Sequence, residues 1–240
     1  MAGKGSIFKR LHKWPGLIIA FVLIYYAITG VLMNHRELIS GIDLSREALP
    51  ADYHYKNWNN AALKGSLSWG EDSILLYGNM GIWLTDSLFK KMSPFHMGFP
   101  RGSDHVKIAD VHRTADGHLY AASLFGLYAF NRQVNLWFRC DLEDPKQRVT
   151  GIESTGDTLY VLSRSHLYTG LSDGIATRFT RFELPAPAGY DGKITLFETI
   201  WQIHSGEILG LPGKLWVDFL GLITILLSVT GILYFFFPGM

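Results

Sequence analysis

The stretch FETIWQIHSGEILGLPGKLWVDFLGLITILLSVTGILYFFF, Phe197 to Phe237, decides how this chain is built. Its second part, Leu215 to Phe237, is apolar apart from one early carboxylate, Asp218. At about 1.5 Å per helical residue it is long enough to cross a bilayer core of about 30 Å. In the first part, Phe197, Ile200, Trp201, His204 and Ile208 fall at helical spacing on one face, while Glu198, Gln202, Ser205 and Glu207 face away. Pro212 disfavours helical geometry at the residue before it, so Gly210-Leu-Pro-Gly213 reads as a turn. An interfacial amphipathic helix over 194–211, with a histidine in its apolar stripe, therefore feeds a transmembrane helix over 214–237.

The other end of the chain mirrors this. Residues 1–13 are basic, with Lys4, Lys9, Arg10 and Lys13, and Leu17 to Met33 follow without a charge. Trp14 and Pro15 extend the apolar run, which places a first transmembrane helix over 14–34. A cleaved signal peptide would have a shorter apolar region and a small-residue cleavage site. Here Asn34-His35-Arg36-Glu37 follows instead, and the span reads as uncleaved. By the positive-inside rule the basic head stays in the cytoplasm. The region 35–193 then lies outside and the C-terminus returns to the cytoplasm.

A formal charge of +1 over 240 residues gives no reason to expect nucleic acid. Cys140 is the only cysteine. That excludes an intrachain disulfide, a CxxC redox pair, c-type haem attachment and a cysteine zinc site.

The insert repeats itself. Asp116-Gly-His-Leu-Tyr120, Ser123 and Gly126-Leu-Tyr128 recur as Gly156-Asp-Thr-Leu-Tyr160, Ser163 and His166-Leu-Tyr168. An earlier copy reads Glu71-Asp-Ser-Ile-Leu75 and Gly81-Ile-Trp83. Each is a turn, a strand, a short connection and a second strand, and a period near 40 residues is that of β-propeller blades. The fold class expected is membrane α plus soluble β: two transmembrane helices flanking an antiparallel β domain of propeller-like hairpin repeats, 66–100, 106–141 and 149–184. Three copies are fewer than an ordinary propeller needs. An open sheet domain of similar hairpins is the other reading.

Of nine histidines, three border the membrane: His12 on the cytoplasmic flank, His35 beyond the outer end of span one, and His204 on the interfacial helix. His35 and His204 share the outer layer on different helices. Two imidazoles can ligate haem iron axially, and polar groups in apolar membrane surroundings usually serve function. Spacing leaves this open against interfacial side chains bonded to headgroups or backbone.

His12-Lys-Trp14-x-Gly16, opening a span that closes with Thr29-Gly30, and Ile200-Trp-Gln-Ile-His-Ser-Gly206…Gly210-Leu-Pro-Gly213, opening one that contains Thr230-Gly231, resemble the PepSY-associated transmembrane family. The similarity covers both spans and the interfacial helix. It implies a bacterial inner-membrane protein with a periplasmic central domain, related to haem-containing reductases of siderophore-bound iron. Membrane histidines in that group hold b-type haem. By motif, His12 and His204 match the family positions, and His35 is added from topology. Larger members have four or more spans and often PepSY modules where this chain has hairpin repeats. No flavin or nucleotide motif is visible, so electrons would come from a quinol or a partner protein.

The function expected is a membrane b-type cytochrome passing electrons to a periplasmic acceptor such as chelated ferric iron, an oxidoreductase of the ferric-chelate reductase type if it is an enzyme. The haem iron would sit between His35 and His204. The alternative is a membrane-anchored scaffold, sensor or accessory subunit without redox chemistry of its own. Open sheet edges and only two spans point to a homodimer or to a subunit of a membrane complex.

Overall fold

The structure, a computed structural model, describes residues 4–45, 63–145, 147–173 and 178–237, with side chains from residue 13 onward. The chain divides into two compact units, Met1–Ile39 with Gly189–Met240, and Ser40–Ala188.

The first unit is helical: α1 (Lys4–Asn34), α2 (Arg36–Ile39), α3 (Leu196–Ser205) and α4 (Gly210–Phe236). Lys13–Asn34 and Glu207–Phe236 are long and apolar enough to cross a membrane. These helices pack side by side. A Cβ on Gly221 would lie 3.1 Å from Val31 Cγ2 and 3.9 Å from the Ala27 carbonyl oxygen, so the glycine marks their close approach. Near the other end Trp14 meets Phe235 edge-on, with ring centroids 5.1 Å apart.

The break before α4 falls earlier than Pro212 suggests. Gly206, left-handed at φ 77°, caps α3 and leads into one 3-10 turn at Glu207–Leu209. Gly210 then begins α4, and Pro212 sits in its first turn. There the missing N–H has no carbonyl partner to lose, so proline is tolerated.

The second unit holds three antiparallel meanders. The first contains β1 (Leu63–Ser68), β2 (Ser73–Gly78), β3 (Gly81–Asp86) and β4 (Met92–Pro94). The second contains β5 (Ile108–Arg113), β6 (Leu119–Ser123), β7 (Gly126–Asn131) and β8 (Leu136–Arg139). A short β9 (Asp141–Leu142) follows, and the third sheet contains β10 (Val149–Thr155), β11 (Thr158–Ser163), β12 (Leu167–Leu171) and β13 (Arg178–Phe182). β9 pairs in parallel with β13 at the outer edge of that sheet. The recurring sequence motifs lie on the two central strands of each sheet. Each sheet is open, with its strands in linear order.

The repetition extends to irregularities. The first strand of every sheet shifts register at its second residue: between Leu63 and Gly65, between Ile108 and Asp110, and between Val149 and Gly151. β5 neighbours both β1 and β10. Asp110, just past its bulge, ties all three sheets. Its Oδ1 accepts from the Tyr77 hydroxyl at 3.3 Å and its Oδ2 from the Ile152 amide at 3.0 Å. The equivalent positions in the flanking sheets are Gly65 and Gly151, and a Cβ on Gly65 would lie 2.4 Å from the Tyr77 hydroxyl. The glycine therefore leaves the space through which Tyr77 reaches Asp110.

The middle sheet is buried on both faces. Leu119, Ala121, Tyr128 and Phe130 face one core with Leu75, Ile82 and Trp137, while Tyr120, Ala122, Leu127 and Ala129 face another with Val161, Tyr168 and Phe179. Alternation along a strand puts neighbours on opposite faces, so a strand apolar at every position needs cover on both sides.

Candidate functional site

α1 ends where the His35 amide still reaches back to the carbonyls of Val31 and Leu32, each at 3.2 Å. This brings Asn34 and His35 against α4. His35 Nε2 lies 2.7 Å from Asp218 Oδ2, and Asn34 Nδ2 donates to Asp218 Oδ1 at 3.0 Å. Asp218 is 9% exposed. A carboxylate on a membrane helix thus has both oxygens bonded by the other helix. The sequence signals Asp218 as the one acid of its apolar run; it gives no sign of the Asn34 and His35 partners, which follow from how the helices pack.

His204 lies on α3, whose orientation follows from its capping. The Thr195 side chain accepts from the Glu198 amide at 3.1 Å, and Gly206 closes the other end. The polar face, with Glu198, Gln202 and Ser205, is the half-buried one. Phe197, Ile200 and His204 are exposed, so the apolar stripe points outward. That suits a helix lying in a bilayer interface. The corner into α4 is held backbone to backbone: a Cβ on Gly213 would lie 2.1 Å from the Gly206 carbonyl oxygen, and one on Gly206 2.3 Å from that of Gly213. Lys214 Nζ pairs with Glu207 Oε1 at 3.0 Å across the same corner. Gly206 and Gly213 of the second motif are therefore a packing requirement.

The three histidines singled out by sequence take different environments. His35 is bonded to Asp218, and no hydrogen bond links it to His204 among the described residues. His204 has no hydrogen-bond or ion-pair partner among the described residues. His12 falls within α1, and its side chain lies outside the described residues, as does His54. Next along α1, Lys13 opens a groove of about 1140 Å³ between α1 and α4. Gly16, Ala20, Thr224, Ser228 and Gly231 line it with apolar neighbours. A Cβ on Gly16 or Gly231 would meet nothing within 4 Å. Lys13 Nζ stands 4.4 Å from the centre of the Phe235 ring at the groove's end.

Most other histidines of the second unit are engaged locally: His96 with the Ile82 carbonyl, His112 with Ser154 Oγ at 2.8 Å, and His105 against the Phe125 ring. His166 Nδ1 is buried without a hydrogen-bond partner among the described residues. Among the described residues no cluster of three or more His, Cys, Asp or Glu side chains could hold a metal ion.

Two apolar helices joined by a part-buried polar contact, with a β insert between them in sequence, define an integral membrane protein. The family model of the PepSY-associated TM region matches residues 2–236, and the chain belongs to that family. The match runs through the β insert as well as both spans. No curated protein matches the chain.

Proposed function

We propose that the protein is a membrane b-type cytochrome that passes electrons to an acceptor outside the cytoplasm, such as ferric iron in a chelate. The contact of His35 with Asp218 carries this reading, because it keeps an imidazole and a carboxylate together between apolar helices. Family membership supports it through the haem-containing relatives that the resemblance implies.

The residues present suit haem in two respects. The small-residue groove has open space over Gly16 and Gly231 where a flat macrocycle could lie, with Lys13 at its end to meet a carboxylate. The donor set offers imidazoles: His35 and His204 for an outer haem, and His12, whose side chain lies outside the described residues, for a second. Bound haem would supply a one-electron iron couple. Asp218 would fix the His35 ring in one orientation and tautomer by accepting the Nε2 proton, leaving Nδ1 as the nitrogen open to iron. Asn34 would hold the carboxylate in place through its other oxygen. Exposed on α3, His204 would be the ligand that a partner or the bilayer interface brings into position. The donor is then a quinol or a partner protein.

In this reading the membrane is the bacterial inner membrane, both termini are cytoplasmic and the β insert is periplasmic. A propeller-like arrangement is supported by the three successive meanders with neighbouring first strands. A twofold dimer would join three sheets to three and two spans to two. Cross-linking in membranes, followed by mass analysis, separates that dimer from a complex with a different subunit.

The reduced-minus-oxidised absorption spectrum of the purified protein tests the function. A b-type α-band is expected, removed or shifted by His204→Ala with the protein still in the membrane, and unchanged by His118→Ala. Absence of the band in protein expressed with adequate haem leaves the scaffold reading in its place.

A further inference from the structure

The β insert carries a second cluster of potential ligands, unrelated to the spans. A cavity of about 410 Å³ has Met80, Trp83, His96 and Met97 in its wall. Both methionines can be placed from the backbone. Met80 lies in the tight connection between β2 and β3, beside Gly81, whose φ of 93° favours glycine. A Cβ on Gly81 would lie 2.6 Å from His96 Nδ1, so the imidazole lies directly over that turn. Met97 is the residue after His96, and its side chain is 60% exposed.

The histidine is prepared as a ligand. His96 Nδ1 is 3.0 Å from the Ile82 carbonyl oxygen. A carbonyl only accepts, so Nδ1 is the donor, and in the neutral ring the lone pair then lies on Nε2. This is the arrangement by which metal-binding histidines are oriented, with a backbone carbonyl on the other ring nitrogen. The Trp83 ring stands edge-on to the imidazole at 5.8 Å between centroids, and its Nε1 donates to the Met80 carbonyl at 2.7 Å.

The segment is also pinned on both sides. The Phe95 amide donates to the Ile82 carbonyl at 2.8 Å, and the Trp137 amide donates to the Met97 carbonyl at 2.8 Å. Trp137 Nε1 donates to the Phe95 carbonyl at 2.7 Å. A Cβ on Gly98 would lie 2.2 Å from the Trp137 carbonyl oxygen, so the loop presses against β8. Four anchors thus hold the backbone that carries His96 and Met97, which is how a binding site is preorganised.

We propose that Met80, His96 and Met97 form a site for Cu(I). Two thioethers and a neutral imidazole carry no charge, and the soft thioethers favour Cu(I) over divalent ions, which prefer further imidazole, thiolate or carboxylate ligands. The proposal stands apart from the haem reading: it uses no residue of the spans and holds whether or not haem is bound.

The full chain, purified in detergent, is titrated with Cu(I) under ascorbate against bicinchoninate. Wild-type protein should withdraw one equivalent that Met80→Leu, Met97→Leu and His96→Gln each hold at least tenfold more weakly. Met92→Leu and His118→Ala should leave it unchanged. Ag(I), which has the same closed shell and no redox chemistry, should compete for the equivalent and change the emission of Trp83, a change lost in Trp83→Phe. Zn(II) should not displace it. Retention of that equivalent by a Met80→Leu/Met97→Leu variant with a wild-type melting curve overturns the proposal, as does displacement by Zn(II) or failure of the wild-type chain to compete.

Discussion

His35 Nε2 lies 2.7 Å from Asp218 Oδ2, a polar contact between helices that also meet through Ala27, Val31 and Gly221. Asp218→Ala removes the acceptor of both His35 and Asn34. Polar contacts between membrane helices contribute about 1–2 kcal/mol, so the melting temperature in detergent should fall. Asp218→Asn should lose less, because its amide oxygen still accepts from one partner. Identical melting of Asp218→Ala and wild-type protein would show that the contact does not hold the helices.

Asp110 offers the parallel test in the β insert. Asp110→Ala leaves the Ile152 amide and the Tyr77 hydroxyl without their acceptor at the junction of three sheets. An unsatisfied buried donor costs about 1–3 kcal/mol. Denaturant unfolding followed by tryptophan emission should show the loss, and Asp116→Ala, in an exposed turn, should not.

Two glycines of the membrane motifs should respond in opposite ways. Gly213→Ala drives a methyl group into the Gly206 carbonyl, and overpacking of this kind costs about 1–3 kcal/mol. Gly231→Ala meets only open space, and a helix gains up to about 1 kcal/mol from that exchange. Thermal melts of the two variants should move apart. A melt of Gly213→Ala at or above the wild-type value would contradict the corner described here.

The proposed orientation rests on the basic head of the chain. A phosphatase reporter fused within residues 100–180 should be active, and one at the N-terminus silent. The reverse pattern would turn the whole assignment of sides around.

Cys140 gives a pH test. Burial among apolar neighbours pushes its thiol up to about 12 from an ordinary 9.0. The folded state therefore favours the protonated thiol. This contribution to stability is fully present below about pH 9 and is lost as pH rises from there towards 12, at about 1.4 kcal/mol per pH unit. Cys140→Ala should flatten that part of the pH–stability curve. Maleimide should label the native thiol slowly at pH 8 and rapidly after unfolding.

What the sequence discloses depends on the range of the interaction that carries it. Both spans and the amphipathic helix are written in local periodicity, and the hairpin copies are legible because turn, strand and turn are consecutive. The corner lies at Gly206, ahead of the Gly210–Gly213 turn expected from sequence, because Pro212 disfavours a helix only at the residue preceding it, and the first helical turn tolerates that. The Asp218 contact was illegible for another reason. Asn34 and His35 are about 180 residues away, and no local pattern encodes which face of one helix meets which face of another. The roles of Asp110 and of Gly65 beneath Tyr77 depend in the same way on packing between sheets.

The two-residue strand β9 has a consequence for the order in which the β insert is completed. Each meander pairs only neighbouring strands, so its hydrogen bonds can form as soon as its own residues leave the ribosome or a translocation channel. β9 is the exception, since its parallel partner β13 comes after the whole of the third meander. β9 must wait, unpaired, until β13 arrives, and only then is the outer edge of the third sheet covered. Synthesis of the insert should therefore end with a latching step, and a chain halted before Arg178 should leave β9 and the β12 edge of the third sheet open to other strands while its first two sheets are already formed.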